Sequence, residues 1–402
     1  MKRLRTISTR RLLVVVGAIV VLAITAGIAQ GALSGSNPTP AAKPLDRAVL
    51  HAVNAPKVDG LTASITFSNN LIPAGSLPEG STSPLLSGAK GRLWVTNDGR
   101  ARLELQSDSG DAEIVSDGKQ VTVYDANSNT AYRFDVPQGQ DKSSADQAEE
   151  HKPVTLEQVD KAINEISKHW SLSGANPTST AGAPTYTVRI SPRDDGGLLG
   201  AAELAWDANN GVPLRAAVYA DNQSSPVLEL KADDVSFAAV PDSDVNISPP
   251  AGARVVDMSS RQPQSHDQSG TSQKIEGVDA VQSKLDFKLA APDALAGLPL
   301  QNVRLVQHEN EAGAVAVYGK GLGAIVVLQN KAGNGQNGPN PGGGGDRERD
   351  LRLPQINING ATGTELATAL GTVVTFERNG ISYTVAGSVP PQAAEQAARE
   401  LQ

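Results

Sequence analysis

The side chains able to do chemistry are few and badly spaced for it. Five histidines (His51, His151, His169, His266 and His308) are scattered without the i, i+4 spacing that aims two imidazoles at one metal. There is no H-E-x-x-H, no G-x-S-x-G and no phosphate loop. The absence of cysteine removes disulfides, thiolate nucleophiles, lipid-modified cysteine and zinc–cysteine sites. Asp125, Asn127 and Asn129 imitate the start of a calcium loop, but Thr130 replaces the needed glycine and Val136 stands where the bidentate glutamate belongs. That stretch reads as a turn between Tyr124 and Tyr132. Gly319, Gly321 and Ala324 match a loose dinucleotide fingerprint, yet I-V-V-L-Q follows where a helix is required, so a tight hairpin is the expectation. The neighbouring carboxylates Glu149-Glu150, Asp194-Asp195 and Asp233-Asp234 lie in polar or turn-like stretches and read as solvated surface. No catalytic residue, metal site or cofactor is expected.

What remains is an apolar set repeating with period two. Leu61 to Phe67 reads L-T-A-S-I-T-F, Gly91 to Thr96 reads G-R-L-W-V-T, and Arg100 to Gln106 reads R-A-R-L-E-L-Q. The alternation returns at 120–125, 185–191, 214–220 and 227–232, and it gives each strand one greasy and one wettable face. The turn residues 97–99, 108–110, 116–118 and 209–211 punctuate these strands as an antiparallel meander. Only two helices are expected beside it. One runs from Pro44 to Val53; the other runs from Thr155 to Trp170, with Leu156, Val159, Ile163 and Ile166 on one stripe and Thr155 with Gln158 as a capping box. A sheet of about nine strands, apolar on one side and covered by two helices, must curl around that side. The inward set is Ile65, Phe67, Leu93, Val95, Leu103, Leu105, Val121, Val123, Val188, Ile190, Leu214, Val218, Leu228 and Leu230. Periodicity alone leaves it open whether these fill a core or line a trough.

Composition sets the surroundings. The chain of 402 residues carries a net charge of −8, and five cations precede the first apolar run, leaving 30 cations against 43 carboxylates beyond it. That balance argues against nucleic acid as a partner. Arg10 and Arg11 lead into Leu12 to Ala29, an uncharged run long enough as a helix to span about 27 Å. The run is expected to enter a membrane, with its basic flank in the cytoplasm and the rest exported. Gly27, Ala29 and Gly31 would also suit a signal peptidase, so anchor and cleaved signal both stand. Residues 31–44 read as a flexible linker, residues 256–274 as a second linker, and residues 333–350 as a disordered loop. The expected organisation is therefore a signal or anchor over 1–30, a large domain over 45–255, and a small α+β domain over 275–402. The small domain has strands near 301–307, 314–318, 324–329, 351–358, 372–378 and 381–386, and a closing helix from Pro390.

Gly88 to Phe134 resembles the core of the LolA lipoprotein-carrier family. It keeps that family's order of a glycine and a tryptophan on one strand, a turn, a second strand, then I-V-S-D-G-K and a strand ending in tyrosine. Ala216 to Val255, with N-I-S-P-P-A-G-A-R-V, resembles the closing strands of the same family, so the likeness covers about half of the chain. Relatives of the RseB type add a smaller C-terminal domain. The resemblance implies an unclosed antiparallel β half-barrel with covering helices, whose inward residues hold the acyl chains of a lipid or a lipidated protein. It also implies, as an alternative, an RseB-like sensor whose small domain contacts a membrane protein. Two departures matter. Where the family has an arginine that latches a helical lid, this chain reads Thr96-Asn97-Asp98. A retained anchor followed by about a dozen spacer residues would also limit reach to a few tens of ångströms, which suits local transfer or sensing. Each buried methylene contributes about 0.8 kcal/mol, so about ten of them suffice for micromolar binding after association costs.

Overall fold

The computed structural model describes residues 39–71, 84–108, 110–136, 153–194, 196–257, 275–308, 311–332 and 353–401. The apolar run Leu12 to Ala29, the loop 333–350 and all of the second linker beyond Asp257 lie outside these residues. Among the described residues no helix is long and apolar enough to cross a membrane.

The period-two segments are strands, as their β-branched alternation requires. They form a 13-stranded sheet, more than the nine expected. Its first run is a meander of β1 (Gly60–Asn69), β2 (Ala89–Thr96), β3 (Ala101–Ser107), β4 (Gly110–Ser116), β5 (Gln120–Asp125) and β6 (Thr130–Asp135). A second run comprises β7 (Trp170–Leu172), β8 (Asn176–Thr180), β9 (Ala183–Pro192), β10 (Leu199–Asp207), β11 (Pro213–Ala220) and β12 (Leu228–Ser236). The two runs join where β12 pairs antiparallel with β1. One strand breaks the antiparallel rule: β13 (Arg254–Asp257) lies parallel to β6 and extends into the expected linker. Strands β4, β6, β7, β8, β10 and β13 lie outside the expected set; β10 reads L-G-A-A-E-L-A-W-D, where alanines dilute the alternation.

Helix α1 (Leu45–Val53) forms as expected, but the second long helix is shorter than its pattern. A short α2 (Pro84–Ser87) precedes it in the chain, so this helix is α3 (Leu156–Ile166). It starts at the Thr155–Gln158 capping box and ends at Ser167, after which Trp170 to Leu172 join the sheet as β7. Pairing with β9 overrides the helical periodicity there. A fourth short helix, α4 (Asp242–Val245), contacts β2 and β3.

The sheet curls. Ala183 lies on β9, four strands from β1 along the sheet, yet it shares one packed cluster with Leu61, Ile65, Leu93 and Leu105. The opposite face is wettable and cross-linked by charge. Glu203 accepts from Arg189 at 2.9 Å, from Arg215 at 2.8 Å and from the Tyr219 hydroxyl at 2.8 Å, while Arg215 also reaches Glu229 at 2.6 Å. These side chains stand on β9 to β12 and fix their register from outside.

The second sheet has eight strands, in the order β14 (Ala294–Leu295), β15 (Leu298–His308), β16 (Glu311–Tyr318), β17 (Ile325–Lys331), β21 (Ile381–Gly387), β20 (Gly371–Arg378), β19 (Ala361–Thr368), β18 (Gln355–Ile358). The G-K-G-L-G-A segment is the β16–β17 hairpin connection, with Gly319 and Gly321 at φ 74° and 68°. A one-turn helix α5 (Val278–Gln282) and the closing helix α6 (Pro391–Glu400) pack on its inner side. Buried Gln329 satisfies both ends of its amide on the backbone of Ala290, at 2.9 and 2.7 Å, and so straps residues 285–291 across that side. Arg378 donates to the carbonyls of Leu401 and Ile358, both at 2.7 Å, and ties the end of α6 down.

The two sheets keep separate cores. They touch at a corner: the amide of Leu198 donates to the carbonyl oxygen of Ser388 at 3.1 Å, and that of Ala369 donates to Leu71 at 2.8 Å.

Candidate functional site

Strand register puts the inward residues in rows that cross the sheet. One row runs Ala63, Leu93, Leu103, Ile114, Val123, Tyr132 and Val256 from β1 through β6 to β13. The next row runs Leu61, Val95, Ala101, Ser116, Val121 and Phe134. All but Ser116 present aliphatic or aromatic side chains on the concave face.

Cover along these rows is uneven. Ala63 is 2% exposed and Leu93 8%, but Tyr132 reaches 36% and Phe134 39%. The buried end lies under α2, whose Leu85 packs on the cluster and whose position is held by Asn69 donating to the Leu85 carbonyl at 2.7 Å. The opposite end of the sheet is covered by α1: Ala48, Val49 and Ala52 rest on Tyr186, Val188 and Trp206, and the Tyr186 hydroxyl donates to Ala41 at 2.6 Å. Helix α3 packs against α1 and is joined to it through Asn54, whose side-chain amide pairs with both backbone groups of Val154 at 2.8 Å. Its apolar stripe is only partly used, since Val159 is buried while Ile166 is 45% exposed. Helix α2 lies against β1, β3 and β4.

The expected trough residues therefore fall into three groups. Ile65, Leu93, Val95, Leu105 and Leu214 belong to the packed cluster, with Phe67, Leu103 and Leu230 against it. Val188 and Ile190 lie with α1 in a second cluster. Val121, Val123, Val218 and Leu228 are half-buried and belong to neither. The residues that complete the open patch, Ile114, Tyr132, Phe134 and Val256, are absent from the set expected from periodicity. The alternation of T-A-Y-R-F over 130–134 would have found Tyr132 and Phe134.

No polar chemistry converges on this face. Among the described residues no group of three His, Asp or Glu side chains could hold a metal ion. Asp125 caps the β5–β6 turn by accepting from the Asn127 amide at 2.9 Å, and Asn129 takes φ 44° there, which is the turn expected in place of a calcium loop. Asp233 accepts from the Thr66 hydroxyl at 2.6 Å on the outer surface. Asp207 is buried, and burial raises its pKa against the amides of Asn209 and Asn210, which donate to it at 2.8 and 3.1 Å. It shapes the turn beneath α1. On the outer face, burial raises the cost of charging Glu203, but hydrogen bonds from Arg215, Tyr219 and Arg189 hold its pKa below the usual carboxylate range.

A family described as "Predicted periplasmic protein (DUF2092)" matches residues 77–160, a minority of the chain. No curated protein matches. Among solved structures, the MucA/MucB complex of Pseudomonas aeruginosa is similar at 15% identity, covering 88% of this chain and 94% of that chain with a TM-score of 0.41. MucB in complex with MucA(peri) is similar at 15% identity, covering 85% and 93% with a TM-score of 0.40. A LolA superfamily protein from Nitrosomonas europaea is similar at 10% identity, covering 51% and 99% with a TM-score of 0.21.

Proposed function

We propose that this chain is an exported, non-enzymatic binding protein that holds the acyl chain of a lipid or lipidated protein on the open end of its half-barrel. The observation that carries this reading is the loss of cover along the concave rows, from Ala63 at 2% exposure to Tyr132 at 36% and Phe134 at 39%. Aliphatic and aromatic carbon on six neighbouring positions (Ile114, Val121, Val123, Tyr132, Phe134 and Val256) is a large face to leave wet. A flexible hydrocarbon tail can complete the packing that the fold leaves unfinished. The leading run Leu12 to Ala29 would deliver the chain across a membrane, as anchor or as cleaved signal, which accords with the periplasmic description of the matched family.

The test is mass spectrometry of organic extracts from natively purified protein. The wild-type chain is expected to release an acyl lipid, and Val123→Asp to release almost none while losing no more than about 1 kcal/mol of stability, because the site is half-exposed. Equal or absent lipid in both preparations would contradict the reading.

A second reading, a sensor contacting a membrane protein through the small domain, has one observation in its favour. The side of the second sheet away from α6 carries Val317, Val326, Ala386, Val373 and Leu366 in one row, all half-exposed. Replacing Val326 and Leu366 by lysine is expected to release a co-purifying membrane protein and leave the lipid in place.

A further inference from the structure

The outer side of α1 brings basic and apolar side chains together. Leu45, Ala48, Val49 and Ala52 turn toward the sheet. Half a turn away, Arg47, Leu50, His51 and Asn54 follow one another at i, i+3, i+4 and i+7, so they share the opposite stripe. With Lys43 before the helix and Ala55 and Pro56 after it, they line an open groove of about 470 Å³. The floor of this groove is carbon and its rim is cationic. Arg47 is the exposed cation of this rim, while Lys43 lies before the helix with its Nζ 5.8 Å from the centroid of the Tyr186 ring beneath α1. The one carboxylate on α1, Asp46, is half-buried and stands 3.9 Å from the exposed Arg47, a long pairing that contributes little.

This cationic groove runs against the charge of the chain, which beyond its first eleven residues has 30 cations for 43 carboxylates. General solubility does not call for it. Position supplies the second argument. Helix α1 is the first described helix after the apolar run, and thirteen residues separate Ala29 from Lys43.

From this we infer that the outer face of α1 docks on the anionic headgroups of the membrane surface. A cationic rim over a carbon floor suits a phosphate with its glycerol ester beneath, and each lysine or arginine near an anionic bilayer strengthens contact about fivefold. The assignment stands apart from the acyl-binding reading, because the groove and the open end of the half-barrel lie on different elements.

Because the chain has no cysteine, Ala55→Cys gives a unique thiol in the groove for an environment-sensitive dye. The labelled full-length chain is incorporated into vesicles of phosphatidylcholine alone or of phosphatidylcholine with phosphatidylglycerol. The dye is expected to be shielded from an aqueous quencher only in the anionic vesicles, and to lose that shielding at about 1 M salt, where the screening length falls to roughly 3 Å. Lys43→Gln with Arg47→Gln is expected to weaken shielding about 25-fold in the lipid titration. Arg47→Gln with His51→Gln, which spares the Tyr186 contact, should also weaken it. Equal shielding in neutral and anionic vesicles, or full shielding in either double variant, overturns the assignment. Shielding by soluble polyglutamate without shielding by anionic vesicles overturns it too, and points to an acidic protein segment instead.

Discussion

Glu365 stands on the inner face of the second sheet, opposite buried Val374 and beside Glu395 of α6. Burial raises its pKa first, and the neighbouring carboxylate adds to the rise. A carboxyl whose folded pKa exceeds its unfolded one holds its proton more tightly when folded, so its contribution is complete below the unfolded value. It is lost as pH climbs through the folded value. Stability should therefore decline as pH rises from about the ordinary 4.5. Arg399 pairs with Glu395 on the same helix. Glu365→Gln keeps the shape and a hydrogen-bond donor. It is expected to flatten this decline in Tm-against-pH scans, whereas an unchanged slope would show that another group sets it. Nothing in the sequence around G-T-E-L-A marked Glu365, because its neighbour Glu395 arrives from thirty residues away.

Among the elements, β2 bears the closest backbone approach. Gly91 pairs with Leu105 on β3, and a methyl group built there would lie 1.8 Å from the carbonyl oxygen of Glu104. No rotamer relieves a clash with backbone, so Gly91→Ala is expected to cost about 3 kcal/mol or more. Denaturant unfolding checks this, and a cost below 1 kcal/mol would mean that β2 and β3 separate easily. Element by element, the sequence was most legible where alternation was strong. β1, β2, β3 and β5 are there in L-T-A-S-I-T-F, G-R-L-W-V-T, R-A-R-L-E-L-Q and Q-V-T-V-Y-D, and the Thr155 capping box marks the start of α3. It was least legible where a distant partner decides. β10 is masked by its alanines, β13 is a strand only because β6 lies beside it, and β7 ends a helical pattern by pairing with β9.

At the scale of the molecule, the half-barrel is packed where α1 and α2 cover it and wet at Tyr132 and Phe134. Periodicity gave the shared face of the fourteen inward residues, because register follows from alternation. It could not divide them, since cover depends on helices brought in from elsewhere in the chain: Val188 and Val123 look alike in sequence, yet one lies under α1 and the other is half-exposed. The central claim is that a hydrocarbon tail completes the open end. The most direct measurement is photo-crosslinking with a fatty acid carrying a diazirine in its chain, followed by peptide mapping. Attachment concentrated on Ile114, Val121, Val123, Tyr132, Phe134 and Val256 is the predicted result. Attachment elsewhere, or none above that of an unrelated soluble protein, would contradict the account.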